Sequence, residues 1–144
     1  MRIIIQRVTN ASVNIENKLY NEIAEGMLIL VGFTKNDTTE KIDYLIRKLI
    51  NLRIFDDESG IMNKSILDIK GEILSISQFT LYADTANGNR PSYINALNKE
   101  EATLLYDEFN TKLNEFIPTK TGIFGAKMQI NLTNDGPVTI ILEK

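Results

Sequence analysis

The apolar residues of this chain fall mostly in short runs or strict alternations and only twice at helical spacing, which points to a sheet-dominated fold with few helices. Arg2 to Val8 carries Ile3, Ile4, Ile5 and Val8 and reads as a buried strand, and Ala11-Ser12-Val13-Asn14-Ile15 then alternates strictly. Glu16-Asn17-Lys18 turns the chain, Leu19 to Ile23 reads as a hairpin partner, and Glu25-Gly26 turns it again into Met27 to Phe33, an almost wholly apolar central strand. The first quarter is therefore expected to be a β-meander.

Both helical stripes follow a capping signal. Asp37-Thr38-Thr39-Glu40 and Asn98-Lys99-Glu100-Glu101 each place a cap residue three positions before a Glu. Ile42, Leu45, Ile46, Leu49 and Ile50 share one face of the first helix; Ala102, Leu105, Phe109, Leu113 and Phe116 mark a longer second one that ends before Pro118. Between them, Asp56-Asp57-Glu58-Ser59-Gly60 offers carboxylates of the kind Ca²⁺ and Mg²⁺ prefer, but without EF-hand spacing, and it reads as a solvated hairpin turn. Met62 to Ile69 is expected to wrap back along the sheet. Gly71 to Ile76, Thr119 to Gly122, Lys127 to Thr133 and Val138 to Leu142 complete the strands. About eight strands and two helices, with no βαβ rhythm and no repeat, make an α+β protein. Residues 1–144 are expected to form a single domain in which curved antiparallel or mixed sheets make a partly closed barrel with the two main helices packed outside.

The missing residue types restrict the chemistry. With no His and no Cys, the chain cannot build a Ser-His-Asp or Cys-His machine, a zinc-thiolate site or a disulfide. Catalysis would rest on carboxylates, Lys, backbone donors or a group brought by the substrate, and neither a metal nor a cofactor is expected. A net charge of -3 weighs against broad non-specific binding to nucleic acid, though not against a local contact. No apolar run approaches the roughly 18 residues that cross a bilayer. Met1 to Arg7 is too short and too soon charged for a signal peptide, so a cytoplasmic protein without a membrane partner is expected.

The segment best suited to carry function is Ser77-Gln78-Phe79-Thr80-Leu81-Tyr82-Ala83-Asp84, where the alternating strand before it ends abruptly in hydroxyl, amide and aromatic side chains. Such Ser and Thr residues are more often simply solvated or capping. A polar, Gly-containing loop, Asp84 to Ser92, follows directly. Its Arg90, before Pro91, is either solvated or placed to meet a phosphate of a polynucleotide. A second polar stretch, Asn134-Asp135-Gly136-Pro137-Val138-Thr139, separates the last two strands.

These pieces together resemble the D-aminoacyl-tRNA deacylases, also called D-tyrosyl-tRNA deacylases. The resemblance spans the chain: Met1-Arg2 through Gln6-Arg7-Val8 with Ala11-Ser12-Val13, Asn51-Leu52-Arg53-Ile54-Phe55, Arg90-Pro91-Ser92, and Thr121-Gly122-Ile123-Phe124-Gly125-Ala126. Two signatures are intact, Ser77-Gln78-Phe79-Thr80-Leu81 and Asn134-Asp135-Gly136-Pro137-Val138-Thr139. It implies hydrolysis of the ester of D-aminoacyl-tRNA, and of glycyl-tRNA mischarged on tRNA-Ala, by a homodimer that engages the tRNA acceptor end. It further implies that Gly136-Pro137, in the cis form, reaches into the partner's site to reject L-aminoacyl esters, with Arg7 bracing that turn. Two parallel carbonyls there would form a rigid fork for the substrate's α-amino group. Ser77, Gln78, Phe79 and Thr80 are then the catalytic residues, with backbone N–H groups at Phe79 and Thr80 as an oxyanion hole. The terminal adenosine's 2′-hydroxyl would assist, and Thr80 is the alternative as nucleophile, although no base stands near it in sequence. Arg7 could equally be an ordinary salt-bridged surface residue. The rival readings are a non-catalytic module that binds the tRNA acceptor end and a related deacylase acting on L-alanyl-tRNA.

Overall fold

The computed structural model describes every residue from Met1 to Lys144. Its spine is β1 (Arg2–Ile15), which runs straight through the gap expected between Val8 and Ala11 and buries Ile3 and Ile5 in one apolar cluster and Val8, Ala11 and Val13 in another. The first half of β1 pairs antiparallel with β3 (Gly26–Gly32), and the second half with β2 (Lys18–Ile23). β2 and β3 therefore share β1 instead of following one another, and the expected meander does not form. A single strand of this length can serve both because each partner takes only half of its hydrogen-bonding edge.

Helix α1 (Thr39–Ile50) buries the five apolar residues of its stripe. Its cap is Thr38, whose side chain makes no capping bond to the backbone. Asp37, expected in that place, instead accepts from the Thr34 N–H at 2.8 Å and pairs with the Met1 α-ammonium. β4 (Phe55–Asp56) and β5 (Met62–Lys64) form a small second sheet around the Asp57 turn. In that turn the Asp57 carboxylate accepts from the Ser59 and Ile61 N–H groups and the Asn63 amide, which accounts for the acidic cluster as a hairpin. A single turn of helix not foreseen in the sequence, α2 (Ile66–Ile69), follows Ser65, which is capped reciprocally with Asp68 inside the turn.

β6 (Glu72–Ser77) then lies parallel to β3, from Gly26↔Glu72 to Val31↔Ser77. Helix α3 (Lys99–Asn114) returns the chain to β7 (Thr119–Thr121), parallel to β6. The sheet is thus the mixed one of the two expected kinds, with two parallel crossovers that no βαβ rhythm in the sequence marked. α3 is capped as anticipated, the Asn98 side chain accepting from the Glu101 N–H at 3.0 Å. Its buried face is Ala102, Tyr106, Phe109, Asn110 and Leu113, whereas Phe116 is 53% exposed.

The last strand, β8 (Met128–Glu143), pairs with nearly the whole of β1. The turn expected at Asn134 to Pro137 is a local irregularity within it, with register shifts between Gln6 and Val8 and between Val8 and Asn10. On the far side, β7 approaches β2 without a ladder. The Asn21 amide donates to the Thr121 carbonyl and Lys120 Nζ to the Glu22 carbonyl, each at 2.7 Å, and Glu72 accepts from the Ala24 N–H at 3.1 Å. The result is an α+β domain with a nearly closed, barrel-like mixed sheet. One apolar cluster packs the helices on the sheet and a smaller one, including Val8, Val13, Leu28 and Leu74, fills its other face. No helix is long and apolar enough to cross a membrane.

Candidate active site

β6 ends at Ser77, and the Gln78 N–H still donates to the Val31 carbonyl at 2.8 Å. The chain then coils into one turn of 3₁₀-helix, Phe79–Tyr82. The turn can seat here because Gly32 has no side chain: a Cβ on it would stand 2.9 Å from the Gln78 carbonyl oxygen and 3.1 Å from Leu81 Cβ. As in any helix, the first N–H groups of the turn have no partner within it. The Phe79 and Thr80 N–H groups donate to nothing else in the protein either. Gln78 donates its side-chain amide to the Thr80 hydroxyl, and the exposed Phe79 ring meets Tyr93 edge-on at 5.0 Å. From behind, Arg2 donates to the Leu81 carbonyl at 2.6 Å and covers the Tyr82 ring.

Ser77, Gln78 and Phe79 form one wall of a cavity of about 520 Å³. That volume suits a small organic ligand. Phe33, Leu97, Phe124, Met128 and Ile130 make much of the rest, and no carboxylate lines it. The roof, Gly122 to Ala126, is tied to the strand through Ser75, whose carbonyl accepts from the Gly122 N–H at 3.1 Å and from the buried Tyr106 hydroxyl at 2.8 Å. Burial pushes the Tyr82 and Tyr106 phenols up to about 12, so neither can serve as a base near neutral pH.

Gly136 and Pro137 stand elsewhere. The bond between them is cis, and Gly136 has φ +123, where a Cβ would lie 2.8 Å from Val138 Cγ2 and 3.2 Å from Arg7 Nη2. Arg7 is buried beneath this segment. Its Nε contacts Asp135 Oδ2 at 3.0 Å and the Asp135 carbonyl at 3.1 Å, while Nη1 donates to the Ile54 carbonyl at 2.7 Å and to Asp56 at 3.3 Å. The guanidinium therefore bridges β8 to the β4 end of the second sheet. Asn134 adds a local clamp, its Oδ1 accepting from the Val138 N–H at 2.9 Å.

Of the residues singled out in the sequence, Ser77, Gln78 and Phe79 meet at the cavity, and Thr80 adjoins them through Gln78. Gly136, Pro137 and Arg7 form a separate cluster that does not line it. Arg90 is exposed in the loop closed by the Asp84 to Ser92 bridge and does not line the cavity. Sequence reasoning assigned no part to the roof residue Phe124 or to Lys99. Phe124 lies between two glycines in a short link, Gly122 to Gly125, which is the signal that was available.

A family model described as D-Tyr-tRNA(Tyr) deacylase matches residues 4–143. A solved structure described as "c-Myc DNA Unwinding Element Binding Protein" is 40% identical with a TM-score of 0.95, covering 100% of this chain and 99% of that one. A second, described as a probable eukaryotic D-amino acid tRNA deacylase, is 16% identical with a TM-score of 0.84, covering 98% and 97%, and shares the fold. With the family match extending over both signature segments, the chain belongs to the D-Tyr-tRNA(Tyr) deacylase family and is a hydrolase acting on aminoacyl-tRNA.

Proposed function

We propose that this deacylase is D-selective and works as a homodimer whose two copies complete each other's sites. The observation that carries the reading is the pair of unpartnered N–H groups at Phe79 and Thr80, beside a cavity that holds no carboxylate. An aminoacyl ester is activated, so attack by water is limited mainly by the negative charge that develops on the carbonyl oxygen. Two fixed donors suit that need, each contributing on the order of 3 kcal/mol to the transition state. Water adds to the ester carbon, the oxyanion points at the two N–H groups, and collapse breaks the bond to the ribose oxygen. The vicinal hydroxyl of the terminal adenosine hands a proton to that leaving oxygen and recovers one from the attacking water, so the protein supplies no base. Free D-amino acid and tRNA are the products. Thr80 holds the Gln78 amide through its hydroxyl and acts as a positioning residue.

Selection against L esters is assigned to Gly136 and Pro137 of a second copy, because they do not line the cavity of their own chain. β8 supports that arrangement: its outer edge has no strand partner, Ile141 is 61% exposed, and Val138, Ile140 and Leu142 are only partly buried. Arg7 keeps the Gly136 segment in place, and Arg90 meets a tRNA phosphate beyond the acceptor end. A glycyl ester, having no side chain to exclude, is cleaved as well, including glycyl-tRNA mischarged on tRNA-Ala.

The test is release of amino acid from D-tyrosyl-tRNA and L-tyrosyl-tRNA, in parallel and with a chelator present. Loss of the D ester alone supports the reading. Loss of both overturns the assignment of chirality to Gly136 and Pro137. The 40% identical relative carries a DNA-binding description, which favours a second reading, a nucleic-acid-binding module without turnover. The net charge of -3 weighs against it, and retention of both esters with tRNA bound would establish it.

A further inference from the structure

Lys99 is the one ionisable side chain that lines the cavity. It opens α3, is exposed at the cavity rim, and makes no ion pair and no side-chain hydrogen bond, although Glu100 and Glu101 follow it in the chain. Its stem runs beside Gly125: a Cβ on that glycine would come within 3.4 Å of Lys99 Cε and 3.6 Å of Nζ. A lysine whose stem covers apolar surface while its ammonium stays at the edge is a common way to offer a charge to a ligand. Here it offers the only charge the cavity has.

We infer that Lys99 pairs with the phosphodiester on the 5′ side of the terminal adenosine. The inference rests on the deacylase reading for the identity of the ligand. The two ends of an aminoacyl-adenosine carry opposite charges, an α-ammonium on the amino acid and a phosphate on the nucleoside's 5′ oxygen. An apolar cavity with one free cation at its rim orients such a molecule. The phosphate goes to Lys99, and the ammonium goes away from it. With the phosphate at the start of α3, the ester is left to the end of β6, where Gln78 and Phe79 line the cavity. Lys99 is thus a binding and orienting residue for the nucleotide end, distinct from the loop residue Arg90.

The experiment compares adenosine with adenosine 5′-monophosphate as ligands of the intact protein, by NMR titration at low salt. Wild type is expected to bind the phosphate form about 5-fold more tightly, the scale of one exposed charge pair, with the preference shrinking as salt is added. Lys99→Ala should bring the ratio to about 1, Lys99→Glu should invert it, and Lys99→Arg should restore it. A ratio unchanged in Lys99→Ala, or equal weakening of both ligands, overturns the proposal. Cleavage of D-tyrosyl-tRNA by wild type is scored separately. If no ester is cleaved while the phosphate preference still follows Lys99, the deacylase reading alone falls.

Discussion

Two places where strand regularity breaks can be compared directly, the end of β6 at Ser77 and the interruption of β8 at Asn134 to Thr139. At the first the backbone leaves its ladder and keeps two N–H donors unspent, with the turn seated over Gly32 and held from behind by Arg2. At the second the strand stays on β1 at both ends, and the segment between is braced from below by a buried guanidinium and from the side by Asn134. One break exposes free donors, which suit a developing oxyanion. On the proposed reading, the other offers its carbonyls on a fixed support to the substrate's ammonium. On that reading the same device would serve opposite chemistry, because different backbone atoms are left over.

The comparison breaks most severely if the support of the second region is removed. Arg7→Ala deletes a buried cation that serves Asp135, Asp56 and the Ile54 carbonyl, and is expected to cost about 3 kcal/mol, discounted because both carboxylates are half exposed. Urea denaturation measures the loss, and D over L discrimination by the surviving folded protein should fall with it. A stable, fully selective variant would make Arg7 a bystander. Gly136→Ala is next, since its Cβ would meet Val138 Cγ2 at 2.8 Å in a backbone conformation that L residues rarely adopt. About 2 kcal/mol is expected, read from the same denaturation curves.

What the sequence disclosed divides along the same line. The end of β6 was legible because alternation stops where Ser77-Gln78 begins, and periodicity reports such a stop. The free N–H groups were not, since no pattern of side chains says where a backbone donor points. Asp37 was misread as a cap because the pattern Asp37 to Glu40 is local, whereas its partner, the Met1 ammonium, is 36 residues away. Tyr106 was not placed on the α3 stripe, yet it sits four residues after Ala102 and is buried with its hydroxyl donating to the Ser75 carbonyl. The β8 interruption looked like a turn because Asp135-Gly136-Pro137 has turn composition, and only pairing of both flanks with β1 shows otherwise.

On the donor side, Gly32→Ala should leave the fold in place while pushing the 3₁₀ turn outward by a few tenths of an ångström, because the new Cβ meets the Gln78 carbonyl oxygen at 2.9 Å. Turnover should fall about 10-fold with little change in D over L preference, which separates misplaced donors from a damaged selector. Thr80→Ala removes the acceptor for the Gln78 amide and should lower kcat about 5-fold, the worth of one hydrogen bond, with stability within about 0.5 kcal/mol of wild type. Full activity would take the Thr80 side chain out of the mechanism, and loss of several orders of magnitude would instead make it the nucleophile.

The smallest effect lies outside both breaks, at the seam between β2 and β7. Hydrogen bonding from the Ala24 N–H, aided by Lys120, holds the Glu72 carboxyl below its ordinary 4.5. A carboxylate whose folded-state pKa is depressed adds stability that is complete above the unfolded value and is lost as pH falls through the folded one. Glu72→Gln keeps an oxygen for Ala24 but gives up the charge, so it should cost no more than about 0.5 kcal/mol at neutral pH. The difference from wild type should close as pH falls through the depressed folded-state value, once the wild-type carboxyl is itself protonated. Urea midpoints at both pH values give the answer. A gap that persists in acid would mean that Glu72 secures the seam by packing and not by its charge.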